Sequence, residues 1–99
     1  MNLAKMSKET ANKKYKARED VVFTDLDDGS AVLLHLQTKY YFSLNETGSF
    51  LWKLIEREGG ASPEELIEEL CQAFDVGADK AKNDVSEFVA DLKTQGLIR

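Results

Sequence analysis

From Asp20 onward the apolar and polar positions follow two periods in turn, and the change of period marks the elements. Val21, Val22 and Phe23 are strand formers, and the Asp27-Asp28-Gly29-Ser30 cluster that follows is a hairpin signal, because glycine takes positive φ at no steric cost. A second strand is predicted over Ala31 to Leu36, with Val32, Leu34 and Leu36 on one face and Leu33 and His35 on the other. Gln37-Thr38-Lys39 form a short turn. A third strand then runs from Tyr40 to Leu44, with Tyr40, Phe42 and Leu44 on one face and Tyr41 and Ser43 on the other. Three short consecutive strands imply an antiparallel meander, which is marginal until its apolar face is covered.

The period then changes to that of a helix. Asn45 is the expected N-cap of a first helix, with Glu46 placed to favour the dipole. Gly48, Leu51, Leu54 and Ile55 share its inner face, with Phe50 and Trp52 on the shoulders. A glycine inside a helix costs about 1 kcal/mol against alanine, so Gly48 on that face implies a close backbone approach to the sheet. Gly59-Gly60 end the element. Ser62-Pro63-Glu64-Glu65 combine an N-cap serine, proline at the first helical position and glutamate at the capping-box position. Leu66, Ile67, Leu70, Cys71 and Phe74 form the stripe of this second helix, and Gly77 is expected to close it in a left-handed conformation. A third helix is predicted from Asp79 to Gln95, with Ala81, Val85, Phe88, Val89 and Leu92 on one face and Gly96 as terminator. Strands followed by helices give an α+β fold, a three-stranded antiparallel sheet followed by three helices.

Length and charge narrow the picture. Ninety-nine residues allow one domain. Residues 1–18 show few large apolar side chains and no period, so they are expected to form a flexible basic arm ahead of a domain at 19–99. Residues 1–19 hold six basic and two acidic side chains, net +4, which leaves −9 on residues 20–99. Such a body repels phosphate backbones, so no nucleic-acid partner is expected. The arm reads as a solvated tail, or as one that docks on an acidic partner or folds back on the body. No run of about 18 apolar residues offers a membrane span, and the basic N-terminus lacks the apolar stretch of a secretory signal. The single cysteine, Cys71, excludes an internal disulfide and fits a reducing compartment, so a cytoplasmic location is expected.

Candidate chemistry is sparse. His35 reads as an ordinary surface or second-face histidine, because a catalytic role needs a partner that the sequence does not reveal. Cys71 on an apolar stripe reads as a small buried hydrophobe, and one histidine with one cysteine is too few for structural zinc. Glu64, Glu65, Glu68 and Glu69 read as a solvated helix face. Asp25, Asp27 and Asp28 lack the terminal glutamate and the glycine spacing of a calcium loop. No Gly-rich phosphate loop occurs. Catalytic residues, metal and cofactor are therefore expected to be absent. The third strand carries more signal. Tyr40, Tyr41 and Phe42 are consecutive aromatics, yet a strand with one buried face uses only alternate ones for the core. With Phe42 and Leu44 inward, Tyr41 either pairs across the sheet or forms an apolar platform beside a strand edge that can template a peptide. Asp84, Glu87 and Asp91 border the apolar stripe of the third helix, as a solvated flank or as a border suited to a peptide with Lys or Arg.

The run YYFSLNETGSFLWKLI, followed by SPEELIEELCQAF and DVSEFVADLKTQGLI, resembles the PqqD family, part of the wider set of recognition elements for ribosomally made, post-translationally modified peptides. Its most specific part is the Leu44-Asn45-Glu46-Thr47-Gly48 junction with Trp52, supported by Asp84-Val85, Phe88, Leu92 and Gly96-Leu97. The resemblance covers about residues 18–99 and implies a winged-helix-like domain. It implies that the leader of a precursor peptide adds as a strand beside the third strand, in a groove shared with the third helix. By position, the strand side would be Lys39, Tyr40, Tyr41, Phe42, Ser43 and Leu44. The helix side would be Asp84, Val85, Glu87, Phe88, Asp91 and Leu92. It further implies hand-over to a separate or fused modifying enzyme, often a radical SAM protein, in the biosynthesis of pyrroloquinoline quinone (PQQ) or another such peptide product. Two alternatives stand beside it: a winged-helix nucleic-acid binder, and a homodimer that self-pairs through the open edge.

Overall fold

β1 (Val21–Asp25), β2 (Ala31–His35) and β3 (Tyr41–Leu44) pair consecutively as an antiparallel sheet in the order β1-β2-β3. The structure is a computed structural model that describes residues 14–99. Register sets the faces. Phe23, Leu33 and Phe42 stand in one cross-strand row, and Val22, Leu34 and Tyr41 in the next. Of the two faces, the one carrying Val21, Ala31, Leu33 and Leu44 is covered and forms one cluster with the helices. His35 shares that face and is only 4% exposed, so it is not a surface histidine. Its ring reaches the end of the third helix, with Nε2 3.9 Å from where a side chain at Gly96 would begin. Its Nδ1 accepts the Gln37 N–H at 3.3 Å, so the buried ring keeps a hydrogen bond.

β3 starts one residue later than its aromatic run suggests. Lys39 takes a left-handed φ of 67° and donates its N–H to the His35 carbonyl at 2.8 Å. That tight turn leaves Tyr40 exposed outside the strand, not on the inner face with Phe42 and Leu44.

The helices are α1 (Glu46–Glu56), α2 (Pro63–Phe74) and α3 (Ala78–Thr94). Their starts follow the local chemistry. The Asn45 side chain accepts the Gly48 N–H at 2.8 Å. Ser62 and Glu65 close a reciprocal capping box at 3.1 and 2.8 Å. α3 ends in a Schellman motif: Gly96 at φ 69° lets Leu97 N–H reach the Leu92 carbonyl and Gly96 N–H the Lys93 carbonyl. Gly77 does not close α2. Asp75 takes the left-handed position at φ 52°, which a short polar side chain tolerates, and Gly77 is the extended N-cap of α3. Trp52 is fully buried at the centre of α1's face, with its indole N–H donating to Glu56 at 3.3 Å. α1 is buried broadly because α2 covers its second side, where Phe50 meets Phe74 edge-to-face at 5.3 Å.

Of the expected basic arm, residues 1–13 lie outside the described residues. Tyr15 exchanges two main-chain hydrogen bonds with Ala61, and Lys16 exchanges two with Arg99. Arg18 donates to the Leu97 carbonyl, and Tyr15 and Ala17 pack against the core. Main-chain pairing of this kind leaves little periodic trace in so short a segment. Among the described residues no helix is long and apolar enough to cross a membrane.

Candidate functional site

β3 is an edge strand, and hydrogen-bond parity tells which of its groups are unpaired. His35 N–H donates to the Tyr40 carbonyl, while Leu36 N–H donates to Asp20, so odd positions of β2 face β3 and even ones face β1. Phe42 and Leu44 therefore turn their main-chain groups to β2. Tyr41 and Ser43 turn theirs outward, to the open edge. Their side chains stand on the outer face, where Tyr41 is 70% exposed, and Phe42 and Leu44 point towards the helices.

α3 runs beside that edge, and α1 begins at its end. The three elements meet at Gly48: a methyl group there would lie 3.3 Å from the Phe88 ring and 3.5 Å from Cβ of Leu44. The absence of a side chain is what lets Phe88 reach the start of α1. Two adjoining depressions result. One, of 670 Å³, has Leu44, Leu51 and Phe88 as its apolar lining and Asp84, Glu87 and Asp91 on its rim. The other, of 530 Å³, extends past Tyr41 and Phe42 to Leu92 and Leu97. Both include Ser43, Leu44, Phe88 and Asp91, so they form one groove along β3.

The rim is acidic and partly committed. Lys80 pairs with Asp84 at 3.2 Å, and Asn83 donates to Glu87 at 3.4 Å. Among the described residues Asp91 and Glu87 make no ion pair. The carboxylates held below their ordinary range lie elsewhere: Asp20 beside Arg18, Asp25 accepting the Asp27 N–H, Asp28 accepting from Ser30, and Glu65 accepting the Ser62 N–H. Each is a local turn, cap or ion pair. Among the described residues no group of three or more His, Cys, Asp or Glu is placed to hold a metal.

Of the residues expected to line a peptide groove, Tyr41, Phe42, Ser43 and Leu44 meet Asp84, Glu87, Phe88, Asp91 and Leu92 along it. Lys39 and Tyr40 lie in the turn, outside its lining, and Val85 is buried beneath α3 in the core. The spacing overlooked Thr47, Gly48 and Leu51 of α1, and Lys80 and Gln95 at the ends of α3. Gly48 carried a usable signal, since an inner-face glycine marks close approach, but it did not say that α3 supplies the partner.

The family described as Coenzyme PQQ synthesis protein D (PqqD) matches residues 30–98. The chain is similar in structure to TbiB1, solved in complex with the TbiA(beta) leader peptide. The TM-score is 0.75 with 34% identity, over 85% of this chain and 94% of that one. It is also similar to a lasso peptide synthetase B1 complexed with the leader peptide, at TM-score 0.74 and 23% identity, over 88% and 99% of the two chains. At that identity the second likeness speaks for the fold alone. No curated protein sequence matches the chain. With most of its length matched, from the start of β2 through the C-terminal segment, the chain belongs to the PqqD family.

Proposed function

We propose that this protein is a peptide-binding adaptor without catalytic chemistry of its own. It takes the leader of a ribosomally made precursor peptide as a fourth strand beside β3 and presents it to a modifying enzyme. The observation that carries this reading is the coincidence of an unpaired edge with a groove. The outward main-chain groups of Tyr41 and Ser43 lie beside the lining made by Leu44, Phe88 and Leu92. Main-chain pairing gives affinity that tolerates sequence, and the apolar lining selects every second side chain of the incoming strand. The rim carboxylates of Asp84, Glu87 and Asp91 suit a leader with Lys or Arg in those places and repel a nucleic-acid backbone. The TbiB1 structure, with its leader peptide, supports the same use of the fold.

The chemistry on the peptide belongs to the partner enzyme, a radical SAM protein or another class, acting in the cytoplasm in the biosynthesis of PQQ or another modified peptide. An NMR titration of the labelled chain with leader peptides encoded beside its gene tests this, with duplex DNA as control. Shifts are expected at Tyr41 to Leu44 and along Asp84 to Leu92. Silence with every peptide, or shifts with DNA alone, would sink it.

A further inference from the structure

Every large apolar side chain left exposed among the described residues lies on the sheet or in the loops that join its strands: Val22, Leu26, Leu36, Tyr40 and Tyr41. Register places two of them, Val22 and Tyr41, in one row with the half-buried Leu34 between them. Val22, Leu34 and Tyr41 stand opposite one another across all three strands, and Thr24, Val32 and Ser43 form the next row. Both rows point away from the helices, because the alternate positions build the core. The open face of an antiparallel sheet is ordinarily polar. Here the row at Val22 is apolar from edge to edge, and the described chain leaves it uncovered. A patch of that kind marks an interaction site.

We propose that this outer face docks a second protein, the one to which the bound peptide is presented, through an apolar surface edged with Lys or Arg. The proposal rests on the peptide-presentation reading and names its partner surface. Continuity chooses the occupant. Tyr41 belongs to both sites: its main chain faces the open edge while its side chain stands in the outer row. A leader strand added at that edge continues the row with its own outward side chains. Val22 then lies three strand spacings from it, roughly 14 Å, well within one ordinary interface. A protein laid across the face touches the peptide and β1 together. Charge sets the chemistry. Asp20 stands beyond the end of the rows and is paired with Arg18, while Asp27 and Asp28 on the β1–β2 hairpin make no ion pair among the described residues. A second copy would bring the same acidic surface, with −9 on residues 20–99, and is disfavoured.

The test uses the full chain, a bound leader peptide and the purified modifying enzyme encoded beside the gene. Val22→Glu lies on β1, two strands from the open edge, so leader affinity should stay within about twofold of wild type. Affinity for the enzyme should fall about tenfold or more, because a charge would be buried in an apolar interface. Thr24→Glu, at an exposed polar position on the same face, should weaken enzyme binding about threefold or more and serves if Val22→Glu loses the wild-type circular dichroism. Unchanged enzyme affinity in the folded variants would overturn the proposal. So would a wild-type dimer in sedimentation that Val22→Glu dissolves, since the face would then belong to a second copy. A wild-type chain that binds no leader at Tyr41 to Leu44 would remove the presentation reading itself, and this proposal with it.

Discussion

At the residue scale the decisive positions are those where one atom more or less changes the packing. Gly60 sits at φ 73° beside the Tyr15 carbonyl, and a Cβ there would collide with it. Gly60→Ala therefore carries both backbone strain and a clash. It is expected to cost about 2–3 kcal/mol in urea unfolding and to expose the Tyr15 and Ala61 amides to hydrogen exchange. Gly48 is a closer balance. Alanine gains about 1 kcal/mol of helix propensity but must push Phe88 by a few tenths of an ångström. Because Phe88 is half-buried beside an open groove, the ring can yield. Gly48→Ala should change stability by under about 1 kcal/mol while weakening leader binding, which titration calorimetry beside thermal unfolding separates. His35 shows why such details escape a pattern. Alternation along β2 defines two faces, but Val32, Leu34 and Leu36 make the wrong one look the more apolar. Only pairing with β3, which sets Leu33 beside Phe42, decides which is covered.

At the element scale, what was legible is what is local. Asn45, Ser62 with Glu65, and Gly96 each satisfy main-chain groups within a few residues, and all three act as their chemistry predicts. The end of α2 was not legible, because Asp75 and Gly77 both tolerate the turn and the three-residue link to α3 decides between them. Nor was the groove's full lining, since Thr47 and Lys80 meet it through tertiary placement and not through spacing. The capping box allows a test with pH. Glu65 is held below its ordinary range chiefly by the Ser62 N–H, with Lys14 and Arg57 helping. A carboxylate lowered in the folded state stabilises it above its unfolded pKa, and that contribution fades as pH falls through the folded value. Glu65→Gln should therefore lower the free energy of urea unfolding modestly at pH 7, by well under about 1 kcal/mol because Glu65 is partly exposed. The gap to wild type should close towards pH 3. Ser62→Ala, which removes the acceptor, should cost about 1 kcal/mol.

At the scale of the whole molecule, the charge distribution and the groove make one argument. Residues 20–99 are acidic, and the carboxylates of α3 stand over an apolar lining instead of a basic one. A leader bound there should feel two forces that salt separates. Exposed ion pairs are worth about 0.2–1 kcal/mol each, so Asp91→Asn should weaken a Lys-bearing leader by a factor of about 1.4 to 5 at low salt. At 1 M salt the Debye length falls to about 3 Å, and that difference should disappear. Phe88→Ala removes apolar surface shared by both halves of the groove, so its loss of affinity should be about tenfold and should persist or grow with salt. Fluorescence anisotropy with a labelled leader, run from low to high salt on both variants, reads the two contributions apart. If Asp91→Asn stayed weak at high salt, the carboxylate would be making a buried bond to the peptide, not bordering it. If Phe88→Ala bound normally, the leader would lie on the main-chain edge alone, and its side-chain selection would have to come from the outer face at Tyr41.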